Sequence, residues 1–161
     1  MPQPRTTGTP PGVGQSAPQL RYVKPDRSNA ELAVLKGEVV ILCTFPSVDT
    51  STCAAETRAF NVHASGLGAH VLIVSMDLPP ALKRFCEAEG ITKVQTGSDF
   101  RFRDGADRWG LALIEGNLTG TLARCVWVID KEGVIRYYQQ PDLLGLEPDY
   151  APILAAAGEL L

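Results

Sequence analysis

The chain has 161 residues, 45% hydrophobic, 20% charged and 7% aromatic, with 15 basic and 18 acidic side chains giving a formal net charge of -3. That profile is one soluble domain, and it excludes disorder, collagen and coiled coil. A domain of this length buries roughly 70% of the surface its unfolded chain exposes, so its core needs no metal or disulfide staple.

Six of the twelve prolines fall in the first 25 residues, with Gly8, Gly12 and Gly14 among them. No regular period survives there, so residues 1–18 are expected to form a loosely held Pro/Gly-rich arm and residues 19–161 the domain. The start carries no apolar signal-peptide core. The longest apolar stretches, Val39 to Cys43 and His70 to Met76, fall far short of the roughly 20 residues that cross a bilayer. The expected location is cytoplasmic, with no membrane partner. The balance of charge and the lack of a basic run predict no nucleic-acid partner either.

Glu38 to Phe45 is a continuous apolar run of strand length, as in a central strand covered on both faces. After a loop from Pro46 to Thr52, the segment from Cys53 to Ala64 is rich in helix formers, follows the capping candidates Asp49, Ser51 and Thr52, and stops at Gly66. His70 to Met76 predicts a second buried strand. A helix from Pro79 to Glu89 follows, with proline at its start and Gly90 at its end. Lys93 to Thr96 suggests a short strand and Asp104 to Trp109 a helical turn ending at Gly110. Arg124 to Asp130 and Val134 to Gln140 are β-rich runs joined by a short loop in which Gly133 supplies positive φ, the pattern of an antiparallel hairpin. A last helix is predicted over Asp149 to Leu160, with Pro152 restricting its true start to about that position. This order gives an α/β, thioredoxin-like fold with a central mixed sheet flanked by helices.

Four cysteines, Cys43, Cys53, Cys86 and Cys125, are too few for a disulfide scaffold, and no C-x-x-C pair or His cluster has zinc-ligand spacing. In Phe45-Pro-Ser-Val-Asp-Thr-Ser-Thr-Cys53 a buried strand ends, a loop turns and a cysteine lands at a helix N-terminus. Unpaired N–H groups and the positive end of the helix dipole favour a thiolate at such a position, and a thiolate is the nucleophilic form. Pro46 stiffens the wall of the site, and the Thr50 hydroxyl can both donate to and accept from a bound oxygen. Arg124 opens an apolar strand and either finds an anionic partner or snorkels to solvent. Cys86 shares an apolar helix face with Leu82 and Phe85, where an inert core cysteine would also lie. Cys43 and Cys125 sit inside strands and read as structural. His63 and His70 have no spacing that suggests a triad or metal.

Pro46-x-x-x-Thr50-x-x-Cys53 resembles the active-site motif of the peroxiredoxins. Phe45-Pro-Ser-Val-Asp-Thr, Asp77-Leu-Pro, Lys83-Arg-Phe-Cys-Glu-Ala-Glu-Gly90 and Leu122-Ala-Arg124 followed by Val128-Ile-Asp130 narrow the resemblance to the bacterial thiol peroxidases, an atypical two-cysteine group, over about Gly14 to Leu160. The resemblance implies Cys53 as peroxidatic cysteine, Cys86 as resolving cysteine, Thr50 and Arg124 as the groups that position and polarise the peroxide, and Pro46 as the shield. It implies hydrogen peroxide and organic hydroperoxides as substrates, a Cys53–Cys86 intramolecular disulfide reduced by thioredoxin, a homodimer, and no bound cofactor. A disulfide needs Cα atoms within about 4.4 to 6.8 Å, so closing it is expected to require local unwinding of one or both helices. The chain departs from the pattern at Glu87, where glycine is frequent, at Ile73, where some members carry a further cysteine, and in the Pro-rich arm that replaces an N-terminal hairpin. Two other readings remain: a one-cysteine peroxidase resolved by an external thiol, and a peroxide-sensing relay protein. A general disulfide reductase would need a C-x-x-C pair, and Thr50 stands where its first cysteine would be.

Overall fold

Val40–Thr44, buried along its whole length, forms the central strand β3. In this computed structural model, which describes residues 2–64 and 66–161, Val40 and Leu42 enter one core while Ile41 and Cys43 enter another on the opposite face. A strand covered on both faces has no polar side to show, which is why it is written as an unbroken apolar run.

β4 (His70–Ser75) pairs with β3 in parallel and β6 (Cys125–Ile129) pairs with it antiparallel. β5 (Gln95–Ser98) continues the parallel side, and β7 (Ile135–Gln139) completes the expected hairpin with β6. Gly133 has the positive φ that its place in the turn requires, 84°. Two further strands, β1 (Arg21–Val23) and β2 (Asn29–Glu31), form an edge hairpin on β5, giving the order β2-β1-β5-β4-β3-β6-β7. Three-residue strands carry too little periodicity to be read from sequence. What seats this pair is local packing, because a Cβ on Gly97 would lie 2.4 Å from the Tyr22 ring.

Helices α1 (Ser51–His63), α2 (Pro79–Glu89) and α4 (Tyr150–Leu160) bury Phe60, Leu82, Phe85 and Ile153 against one face of the sheet. The opposite core centres on Trp109 and Trp127, packed edge to face at 5.0 Å, and receives Ala106 from the single turn α3 (Asp104–Asp107). The α/β thioredoxin-like arrangement expected from the element order is therefore present. α1 begins two residues before Cys53, with Thr50 as an extended N-cap. α4 begins at Tyr150 rather than near Pro152, which sits in the first turn where its missing N–H costs no intrahelical bond.

The N-terminal segment, expected to be a loose arm, is instead strapped to the domain; Met1 lies outside the described residues. Proline forbids a regular ladder but not single backbone bonds, and these recur along the segment. The Thr7 N–H donates to the Ala112 carbonyl at 2.9 Å and the Gly8 N–H to the Gly110 carbonyl at 3.1 Å. The buried Trp127 indole takes the Pro11 carbonyl at 2.9 Å, which satisfies a donor that would otherwise be stranded in the core. Gly8 and Gly110 pass so closely that a Cβ on Gly8 would stand 3.1 Å from the Gly110 Cα. Gly8→Ala should therefore cost on the order of 1 kcal/mol in denaturant unfolding and expose the Thr7 and Gly8 amides to hydrogen exchange. Unchanged stability and exchange would mean that the segment is held elsewhere.

Candidate active site

β3 runs out at Thr44 and continues through the buried Phe45 and Pro46 into the loop that leads to α1. The loop is fixed by side chains rather than by a regular element. The Asp77 carboxylate, just beyond β4, accepts the Ser47 hydroxyl at 2.6 Å, the Val48 N–H at 2.9 Å and the Ser75 hydroxyl at 2.7 Å. The Ser47 carbonyl accepts both the Thr50 N–H at 3.1 Å and the Thr50 hydroxyl at 2.9 Å. Thr50 thus spends its donor within the loop and keeps its lone pairs as acceptors. The Thr50 side chain makes no capping bond to α1, and the N–H groups of the first turn have no intrahelical acceptor. Cys53 stands in that turn, fully buried, at the positive end of the helix.

Arg124 meets it from the start of β6. Its side chain is 2% exposed. Nη2 donates to the Cys53 sulfur at 3.2 Å, Nη1 to the Glu56 carboxylate at 2.6 Å and Nε to the Leu144 carbonyl at 3.0 Å. The Arg124 backbone is gripped by one amide: the Arg124 N–H donates to Gln3 Oε1 at 3.1 Å, and Gln3 Nε2 donates to the Arg124 carbonyl at 3.0 Å. Burial works against the Arg124 charge, but the neighbouring Cys53 and Glu56 outweigh it and hold its pKa above the ordinary arginine value. Of the two readings of Arg124 open in the sequence, the structure contains the partnered one.

Glu56 was not singled out by the sequence reading, although a signal was available. It follows Cys53 by one helical turn, on the stripe of Cys53, Thr57 and Phe60 that α1 buries, and an acid on a buried stripe requires a cation. Burial pushes the Glu56 carboxyl up to about 7, restrained by the charge and hydrogen bond of Arg124.

Among the described residues, the other three thiols make no hydrogen bond to a guanidinium, and burial dominates each. Burial raises Cys43 well above the usual thiol value and Cys125 to about 12. Cys86 lies in the last turn of α2, half-buried, with its sulfur 3.7 Å from the Thr96 hydroxyl of β5. Burial raises its pKa too, against the lowering effect of Thr96. Cys53 and Cys86 are both free thiols. The structure therefore joins Cys53, Arg124 and Thr50 at one helix start, places Pro46 at the entry of the loop, and leaves Cys86 engaged with Thr96.

A buried cysteine at a helix N-terminus, held by a guanidinium at the end of the inner strands of a thioredoxin-like sheet, defines a redox protein of the peroxiredoxin type. The Redoxin family model matches residues 12–154. The thiol peroxidase of Aquifex aeolicus (strain VF5) is 41% identical over 150 residues, 92% of this chain and 88% of that protein. The thiol peroxidase of Mycobacterium tuberculosis (strain ATCC 25618 / H37Rv) is 40% identical over 153 residues, 95% and 92% of the two chains. A crystal structure of a peroxiredoxin-like protein from Aquifex aeolicus superimposes with a TM-score of 0.93 at 40% identity, over 98% of this chain and 92% of that one. A thiol peroxidase structure from Chromobacterium violaceum, at 22% identity and a TM-score of 0.85 over 97% and 91%, shares the fold. The chain belongs to the Redoxin family and, within it, to the thiol peroxidases.

The Glu56 carboxyl carries a pH signature. Its folded value, about 7, exceeds the ordinary 4.5, so between these values the folded chain keeps a proton that the unfolded chain has lost. Its contribution to stability is thus greatest below pH 4.5 and falls as pH rises through 7. Relative to Glu56→Gln, the wild type should lose about 1 to 3 kcal/mol of unfolding free energy between pH 5 and pH 8. A difference independent of pH would show that Glu56 stays ionised throughout.

Proposed function

We propose that this thiol peroxidase reduces hydrogen peroxide and organic hydroperoxides through Cys53. The supporting observation is the Arg124 guanidinium on the Cys53 sulfur at a helix start. The thiolate attacks one peroxide oxygen, the O–O bond breaks, and the other oxygen leaves as hydroxide or alkoxide that takes a proton to become water or alcohol; Cys53 becomes a sulfenic acid. Hydroxide and alkoxide are poor leaving groups, so Arg124 and the first-turn N–H groups of α1 act by stabilising the negative charge that develops. Thr50 accepts the peroxide hydrogen through its free lone pairs and so orients the attack, while Pro46 shields the sulfur from water. The complete burial of Cys53 suits a small oxidant better than open exchange with protein disulfides.

Cys86 then attacks the sulfenic sulfur, releasing water and forming an intramolecular disulfide. Its place one turn from the end of α2, with the chain leaving through Gly90 in the left-handed conformation, makes fraying of that turn the least costly route to Cys53. A dithiol donor, thioredoxin in this reading, takes up the disulfide and restores both thiols. The same reading includes a cytoplasmic location and a homodimer, the latter to be tested by sedimentation. Among the described residues no helix is long and apolar enough to span a membrane.

One equivalent of hydrogen peroxide added to the reduced protein, followed by intact mass and peptide mapping, tests the cycle. The expected product has lost two hydrogens and carries a Cys53–Cys86 crosslink, and Cys86→Ser should retain oxidation of Cys53 but lose thioredoxin-dependent turnover. Oxygen persisting on Cys53 in the wild type, with Cys86 free, would make this a one-cysteine enzyme served by an external thiol.

A further inference from the structure

Asp77 has no part in the chemistry proposed above, yet three donors converge on its carboxylate. Two of them, the Ser47 hydroxyl and the Val48 N–H, belong to the loop between β3 and α1, and the third is the Ser75 hydroxyl of β4. Val48 packs into the core beneath the loop, and the remaining polar contacts of Ser47 are local. Ser47 also accepts the Asp49 N–H on its hydroxyl at 3.1 Å, and its carbonyl holds both the amide and the hydroxyl of Thr50. The order of contacts is Asp77 to Ser47 to Thr50, so one carboxylate sets the direction of the Thr50 lone pairs three residues from the nucleophile. The same aspartate stands two residues before α2, the helix that carries Cys86, and Arg84 of that helix reaches Asp49 at 3.4 Å.

We propose that Asp77 is a positioning residue for peroxide reduction: it holds the Pro46–Thr50 loop, through Ser47 and Val48, in the one arrangement that presents Thr50 to a peroxide bound at Cys53. This rests on the reading of Cys53 as nucleophile and Thr50 as its peroxide acceptor. Asparagine at position 77 would keep one acceptor oxygen for the Val48 N–H and the Ser75 hydroxyl but present an amide N–H to Ser47, whose hydroxyl would have to reverse from donor to acceptor, so the loop would lose its charged anchor without losing packing volume.

Two rates at Cys53 separate this role from simple loss of structure: oxidation by hydrogen peroxide, which needs an oriented peroxide, and alkylation by iodoacetamide, which needs only an accessible thiolate. In Asp77→Asn, oxidation should slow about 10- to 100-fold, while alkylation is unchanged or faster. Asp130→Asn is the control. Asp130 likewise accepts two backbone N–H groups, of Glu132 and Val134, and the Arg136 guanidinium, but it lies at the opposite end of β6 from Arg124, and its loss should leave both rates unchanged. Ser47→Ala, which removes one donor and leaves the carboxylate two others, should slow oxidation about 3- to 10-fold and gives the same readout if Asp77→Asn does not fold. Oxidation at the wild-type rate in these variants, an equal fall in both rates, or the same fall in Asp130→Asn would overturn the proposal. Wild-type oxidation mapping to a cysteine other than Cys53 would overturn the nucleophile assignment beneath it.

Discussion

A single arginine ties together four parts of the chain that are remote in sequence. Arg124 enters from β6, its Nη1 and Nη2 engage Glu56 and Cys53 on α1, its Nε engages the loop at Leu144, and its backbone is clasped by Gln3 of the N-terminal segment. A buried cation without partners would be prohibitive, and removing one member of such a buried pair typically costs about 3 to 5 kcal/mol. Folding and chemistry therefore converge on the same side chain. The contacts that make its burial tolerable are also those that aim one N–H at the Cys53 sulfur, the nucleophile of the proposed cycle. Glu56 completes the balance: ionised, it shares the cation with the Cys53 sulfur, and protonated, it leaves the charge to sulfur alone.

The sheet supplies the rigidity that this arrangement needs. β3, pinned on one side by β4 and on the other by β6, delivers the chain to the loop before α1, and β6 delivers Arg124 opposite it through the pairing of Thr44 with Cys125. Cores on both faces leave the strands no freedom to slide, because a shift of one residue would exchange every side chain between faces. The loop has no ladder of its own and takes its geometry from Asp77. The site thus combines a rigid frame with a short segment held by a few hydrogen bonds. In the proposed cycle, such a segment can reorganise at modest cost as the sulfur is oxidised and Cys86 approaches.

Much of this was legible in the sequence where signals are local and strong. The unbroken apolar runs at 39–43 and 70–76, the proline and glycine that bracket α2, and Gly133 between two β-rich runs each specify an element by itself, and the motif from Pro46 to Cys53 marks the helix start that carries the sulfur. What escaped depends on partners distant in the chain. β1 and β2 exist because Gly97 makes room for Tyr22, and the proline-rich segment is held by partners far along the chain, as with Thr7 on Ala106, 99 residues away, and Gln3 on Pro141, 138 residues away. Glu56 was within reach, because an acid on the buried stripe of an otherwise legible helix is itself a signal. Gln3 was not, since nothing near it in sequence shows that its amide will meet the backbone of Arg124.

The most direct test of the Arg124 assignment compares the rate at which hydrogen peroxide oxidises Cys53 in Glu56→Gln with the rate in Glu56→Gln combined with Arg124→Met. The first variant keeps the guanidinium on the sulfur, and the second removes it without stranding a buried carboxylate. If charge stabilisation by Arg124 drives cleavage of the O–O bond, the double variant should react about 10²- to 10³-fold more slowly while remaining folded. Equal rates in the two folded variants would contradict that role and leave the helix start of α1 as the sole source of activation.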